Sequence, residues 1–138
     1  MGKISSVQSR ISPPTTLSVV VPYFNEESVL CEFHARLTRV LDTLSDTSEI
    51  VYVNDGSTDN SQSLVESFSS HTSSIKCIAL SRNFGKESAL SAGLAHSSGL
   101  AVIAIDADLQ DPPELIPAML TKWREGFDVV NMQRSERL

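Results

Sequence analysis

The feature that most constrains this chain is a rhythm. Short, continuous apolar runs alternate with polar loops and helical patterns. The runs are LSVVVPYF (17–24), EIVYVND (49–55), IKCIALS (75–81), LAVIAID (100–106) and FDVVNMQ (127–133). They are rich in β-branched residues and do not alternate apolar with polar, the pattern of strands covered on both faces. Between them, Val29, Leu30, Phe33, Leu37, Val40, Leu41 and Leu44 recur at the spacing of one helix face. STDNSQSLVESFSS (57–70) opens with capping residues and carries Leu64, Val65 and Phe68 on one side. GKESALSAGLAHSSG (85–99) reads as a small-residue helix closed by Gly99. PPELIPAMLTKWREG (112–126) places prolines in a first helical turn, with Asp111 as the expected cap and Gly126 as the stop. Strand–helix alternation of this kind predicts an α/β fold with a Rossmann-like, mostly parallel sheet flanked by helices. Residues 1–16 read as a flexible, polar lead-in, and 17–138 as one domain.

Bulk properties narrow the function. A net charge of −6 argues against a broad nucleic-acid surface. No apolar run approaches the roughly 20 residues that span a bilayer. The N-terminus lacks the apolar stretch of a secretory signal, and Met-Gly followed by Ser6 fits a myristoylation pattern only weakly. Cys31 and Cys77 sit in apolar surroundings and are expected as reduced core residues. His34, His71 and His96 have no ligand spacing and are expected at the surface or on helix flanks.

In parallel sheets, ligands gather beyond the carboxyl ends of the strands, and four such loops here are polar. After the fourth strand, IDADLQDPPEL (105–115) crowds acids together. Asp106 and Asp108 flank Ala107, and in extended backbone positions i and i+2 point the same way. Two converging carboxylates suit a hard cation, Mg²⁺ or Mn²⁺, with Gln110 as a neutral third ligand. The competing reading is an N-cap for the following helix. After the second strand, NDGSTDNS (54–61) is either a tight turn into a helix or a site where Asp55 accepts hydrogen bonds from a base or ribose, with Gly56 admitting the ligand. After the third, RNFGKE (82–87) sets Arg82 and Lys86 around a glycine at a helix start, which favours an anion such as phosphate. A surface ion pair from Lys86 to Glu87 or Glu26 is the alternative. Glu26, after the first strand, either caps its helix or bonds a ligand. Together these groups suit a nucleoside diphosphate. Neither a dinucleotide-binding glycine fingerprint nor a Walker A motif is present, and the third strand ends in Ser81-Arg82-Asn83 rather than the aspartate of a receiver domain.

VVVPYFNEES, VYVNDGSTDNS, LSRNFGKESALSAGLAHSSG and IDADLQDPPELIPAMLTKWREGFDVV, taken in order, resemble glycosyltransferase family 2. Within it they are similar to the polyprenyl-phosphate glycosyltransferases, both the bactoprenol glucosyltransferases and, more distantly, dolichyl-phosphate mannose synthase. The resemblance covers residues 17–133. It implies a GT-A fold, a nucleotide-sugar donor and a divalent metal, Mg²⁺ or Mn²⁺. It implies Pro22, Phe24 and Glu26 lining the nucleoside pocket, Val53 and Asp55 at the base, and Lys86 near the diphosphate. Asp106, Ala107 and Asp108 then match the family's Asp-x-Asp, with Asp108 and Gln110 on the metal and Asp108 the catalytic group through it. The implied reaction is inverting transfer of a hexose, glucose from UDP-glucose, onto undecaprenyl phosphate. Another donor (a UDP-4-amino-arabinose derivative, UDP-N-acetylglucosamine or GDP-mannose) and donor binding without transfer stay open.

Two positions depart from the family pattern. Phe24 stands where tyrosine is usual, which keeps stacking and loses a phenolic hydrogen bond. Asn54 stands where a first acid is frequent. Family members also continue past the position of Leu138 into an acceptor-side segment, an amphipathic helix and commonly membrane-spanning helices. The resemblance therefore implies a donor-binding part cut short on its C-terminal side, with the acceptor-side catalytic residues expected beyond Leu138. Its full-length relatives are expected at the cytoplasmic face of the inner membrane and often as oligomers. The short form is expected to be soluble and, with an uncovered apolar face, prone to self-association. Arg134 and Arg137 are the expected start of the acceptor-phosphate region.

Overall fold

A computed structural model describes residues 15–126. The expected fifth strand (127–133) lies outside the described residues, as does nearly all of the lead-in. So do Arg134, Arg137 and Leu138, and with them the expected start of the acceptor-side region. Among the described residues the order is β1 (Leu17–Tyr23), α1 (Leu30–Asp42), β2 (Ser48–Asn54), α2 (Ser61–Glu66), β3 (Ser74–Ala79), α3 (Lys86–Ala95), β4 (Ala101–Ala104), a 3₁₀ turn (Pro113–Leu115) and α4 (Ile116–Arg124). The strands form one parallel sheet in the order β3-β2-β1-β4. Val20 pairs with Val51 on one side and with Ala104 on the other, which fixes the register.

Every residue of β1 and β2 is buried, the polar Ser18, Ser48, Glu49 and Asn54 among them. One face of the sheet carries Val19, Val21 and Tyr23 into a core shared with Phe33, Leu37 and Leu41 of α1 and Ile116 and Leu120 of α4. The other carries Val20, Val51 and Val53 against Ala89 of α3. The small residues of α3 have a reason. A Cβ added at Gly93 would lie 2.3 Å from Val20 Cγ1, so the helix lies almost on the strand.

Among the described residues, the two outer strands of the sheet depart from the expectation of cover on both faces. β3 is exposed or half-buried along its length, and β4 alternates, with Val102 39% exposed beside Leu100 at 73%. An edge strand has a neighbour on one side only, so an apolar run there does not guarantee burial. Cys31 and Cys77 are likewise exposed, not core residues. His34 is buried, not superficial. Its Nε2 faces the Ser69 carbonyl at 3.1 Å, so Nε2 carries the proton and Nδ1 accepts from the Tyr52 hydroxyl at 2.7 Å. The ring stacks on Phe68 at 4.1 Å.

Capping also differs from the sequence pattern. The 3₁₀ turn starts behind Pro112, so Asp111 is not its N-cap. α3 ends at Ala95 with His96 as its cap, and Gly99 instead lets the chain pass Ser18, whose amide nitrogen would lie 2.6 Å from a Cβ placed there. Gly126 follows α4 at φ +107°, the expected glycine stop. At the sheet's amino end, Glu49 is buried. It accepts from Ser18 Oγ (2.6 Å) and the Ser98 amide (2.7 Å) and pairs with Lys76 (3.0 Å). Among the described residues, no helix is long and apolar enough to cross a membrane.

Candidate active site

The strand order reverses between β1 and β4. In a parallel sheet the loops on either side of such a reversal part and leave a crevice at the carboxyl edge. A cavity of about 210 Å³ lies there, lined by Pro22, Tyr23, Phe24, Glu26, Asp55, Lys86, Asp106, Ala107 and Asp108. All four strand-end loops contribute to it. Enclosed small-molecule pockets usually run to roughly 300–1,000 Å³, so this cavity holds only part of a nucleotide-sized ligand.

The β1 and β2 loops are laced together. Asn25 takes φ 52°, and its Oδ1 accepts the Thr58 amide at 2.7 Å and the Asp59 amide at 3.2 Å. Its own amide donates to Ser57 Oγ at 3.0 Å, and the Glu26 amide donates to Ser61 Oγ at 2.9 Å. Ser57 and Thr58 therefore hold the neighbouring loop instead of capping α2. This clamp presents Phe24, 42% exposed, at one wall of the cavity. Asn25 is the residue that sequence reasoning missed. An asparagine directly after a strand, where left-handed backbone is most easily tolerated, was the available signal. Tyr23 also lines the cavity, and its place as the last buried residue of β1 hides it in the apolar run.

The opposite wall is acidic. Ala107 is buried, and Asp106, Ala107 and Asp108 all line the cavity, from a turn that begins beyond the end of β4 and not from the extended backbone the sequence suggested. Leu109 follows at φ 66°, a left-handed conformation costing about 1–2 kcal/mol for a non-glycine residue. The turn it makes lets the Gln110 amide donate to Asp108 Oδ1 at 3.0 Å. Beyond the turn, Arg36 of α1 forks onto both carboxylate oxygens of Glu114 at 3.0 and 2.6 Å, which ties the acidic loop to the helix beneath. Lys86, the first residue of α3, reaches across to Asp106 Oδ2 at 2.8 Å.

Three predicted residues fall elsewhere. Val53 is wholly buried in the sheet and gives no surface to the cavity. The Gln110 side chain is exposed and does not line it. Arg82 lies 4.5 Å over the Phe84 ring instead of in the cavity.

The electrostatics register the crowding of acids. Partial burial first, then the charges of Asp108, Asp106 and Asp59, push the Glu26 carboxyl above its ordinary 4.5. Four carboxylates, those of Glu26, Asp55, Asp106 and Asp108, line the cavity with Lys86 as the one cation among the lining residues. That is the donor set a hard divalent cation fits. Among the described residues no three His, Cys, Asp or Glu side chains form a metal cage of their own. Magnesium does not need one, because it typically keeps waters and phosphate oxygens and takes one or two carboxylates.

The fold and the sequence agree with known proteins. The model of the family "Glycosyl transferase family 2" matches residues 18–137. An uncharacterized glycosyltransferase, sll0501, of Synechocystis sp. is 53% identical over 122 residues, covering 88% of this chain and 38% of its own. The bactoprenol glucosyl transferase of Shigella phage SfV is 44% identical over 121 residues, covering 88% of this chain and 39% of its own. The chain thus spans well under half the length of the curated relatives it matches. Among solved structures, the mannosyltransferase PcManGT of Pyrobaculum calidifontis, in complex with GDP-Man and Mn²⁺, superposes with a TM-score of 0.66 at 23% identity, covering 95% of this chain and 42% of its own. S. aureus TarS 1–349 in complex with UDP-GlcNAc gives 0.61 at 23% identity, covering 88% and 38%. The sheet and its flanking helices are those of the GT-A fold.

Proposed function

The chain belongs to glycosyl transferase family 2, and we propose that it is the donor-binding part of a metal-dependent, inverting hexosyltransferase. The donor is a UDP-sugar, UDP-glucose by the bactoprenol glucosyl transferase relatives, and the acceptor is a polyprenyl phosphate. One observation carries this reading. A single cavity at the reversal of strand order joins an aromatic wall, a half-offset cluster of carboxylates and one lysine at a helix start.

Phe24 offers a face for a base, and Asp55, nearly buried, lines the same cavity. Lys86 and the opening turn of α3 favour a diphosphate. Asp108 and Asp106 are the side chains that would hold Mg²⁺ or Mn²⁺, which when bound supplies Lewis-acid neutralisation of the diphosphate's growing charge. In the transfer step a phosphate oxygen of the acceptor bonds to the anomeric carbon. The bond from that carbon to the β-phosphate oxygen breaks, and its electrons leave with UDP. Lys86 contributes by donating to the departing phosphate with one of its three ammonium N–H groups, of which Asp106 engages one in the free site. The described lining of the cavity is accounted for by the donor, so donor binding is the activity these residues support directly. In full-length form the enzyme works at the cytoplasmic face of the membrane that carries its lipid acceptor.

Calorimetric titration with UDP-glucose, UDP-N-acetylglucosamine and GDP-mannose, each with and without Mn²⁺, tests the reading. Binding of a UDP-sugar in preference to GDP-mannose, strengthened by Mn²⁺, is expected. A folded sample that binds none of the three contradicts it.

A further inference from the structure

Asp55 lines the cavity, yet its carboxylate is already engaged by a neighbouring loop. The Phe84 amide donates to Oδ1 at 2.9 Å, and the Gly85 amide is shared between Oδ1 at 3.3 Å and Oδ2 at 3.2 Å. A second contact, independent of that carboxylate, lies one residue further on. Gly56 takes φ +77°, and a Cβ placed there would stand 2.3 Å from the Asn83 nitrogen and 2.4 Å from the Arg82 carbonyl carbon. The sequence suggested that this glycine admits a ligand; the structure shows that it admits residues 82–83. The loop gripped in this way ends at Gly85, which caps α3, and the next residue is Lys86.

We propose that Asp55 and Gly56 form a seat for residues 82–85, making Asp55 a positioning residue for the diphosphate end of the site as well as a wall of its nucleoside end. The proposal rests on the donor-site reading above. A carboxylate offers about four lone-pair positions. The two amides occupy up to three of them, so Oδ2 keeps one for an N–H of a bound base. One side chain thereby links the two halves of a nucleoside diphosphate. It meets the base directly, and through two backbone amides it fixes where α3 begins and where the Lys86 ammonium can reach.

Inorganic pyrophosphate with Mn²⁺ is the discriminating probe, because it has no base for Asp55 to touch. It is titrated into the wild type, Asp55→Asn and Gly56→Ala, with circular dichroism melts to establish that each is folded. In parallel, limited trypsin digestion without ligand follows cleavage after Arg82 and Lys86. The seat predicts that both variants lose about tenfold or more in pyrophosphate affinity and are cut faster at those two bonds. Should Gly56→Ala fail to fold, Asp55→Asn alone decides, since it removes an acceptor without adding volume. Wild-type pyrophosphate affinity together with wild-type cleavage rates in the variants overturns the proposal and leaves the donor reading intact. A wild type that binds neither UDP nor pyrophosphate overturns the donor reading, and the diphosphate role of Asp55 with it.

Discussion

The Lys86 ammonium lies 2.8 Å from Asp106 Oδ2, so the cation delivered by α3 rests on one of the two acids expected to meet a metal. The lysine side chain is 57% exposed and the aspartate 22%. Pairs this open are worth about 0–1 kcal/mol, so the contact can be given up cheaply when a better anion arrives. The pair keeps the acidic wall partly neutralised until then.

Lys86→Met separates the two roles. Fold stability should change by no more than about 1 kcal/mol, measured by urea unfolding. UDP affinity should fall about tenfold or more, while Mn²⁺ affinity in the absence of UDP should rise, because Asp106 loses its competing cation. Unchanged UDP affinity would show that Lys86 belongs to the surface and not to the site.

Glu26 carries a pH signature. Its folded-state value is raised above 4.5 by partial burial and then by Asp108, Asp106 and Asp59. The folded state therefore holds this proton more tightly than the unfolded chain does, and stability declines as pH rises from about 4.5 through the raised value. Glu26→Gln should remove that decline and raise the melting temperature at pH 7, with little effect at pH 4. Mn²⁺ with UDP should flatten the wild-type decline in the same way.

His34 gives the opposite slope. Burial lowers its value below 6.5, against a weaker upward pull from the Ser69 carbonyl. A base depressed in the folded state contributes stability above the unfolded value of about 6.5 that is lost as pH falls towards the folded value. Protonation also turns Nδ1 into a donor facing the Tyr52 hydroxyl. His34→Phe should abolish the fall in stability between pH 6.5 and 5, read from urea midpoints across that range.

Glu49 is the buried acid at the sheet's other end. Burial alone would raise its carboxyl, but hydrogen bonds from Ser18, Ser98 and Lys76 outweigh it and hold the group below 4.5. Its contribution is present above 4.5 and lost as pH falls through the lower folded value. Glu49→Gln should cost about 1–3 kcal/mol at pH 7 while leaving UDP affinity unchanged, since Glu49 does not line the cavity.

These predictions draw unevenly on what the sequence made legible. The parallel sheet was readable because the centres of β1 and β2, residues 19–21 and 50–53, are apolar and both strands are wholly buried. The cavity lining was readable because the loops after the strands of a parallel sheet open on one edge, as those carrying Glu26, Asp55 and Asp108 do, although Asp106 and Asp108 lie at a turn beyond β4 and not in extended backbone. Contacts between segments distant in the chain were not readable. The buried state of His34 depends on Tyr52 and Ser69, 18 and 35 positions away. The exposure of Cys77 depends on β3 standing at the edge of the sheet, a fact of strand order and not of composition. Gly99 looked like a helix stop, and only the pairing of β1 with β4 shows that it makes room for Ser18.

The central claim is that Asp108 and Asp106 hold a divalent cation which in turn holds a diphosphate. Electron paramagnetic resonance of free Mn²⁺, titrated with wild-type protein and with Asp108→Asn in the presence and absence of UDP, tests it most directly. The wild type should remove Mn²⁺ from the free signal, far more strongly with UDP than without, and Asp108→Asn should lose most of that UDP-dependent uptake. Equal uptake of Mn²⁺ by the two proteins in the presence of UDP would contradict the claim.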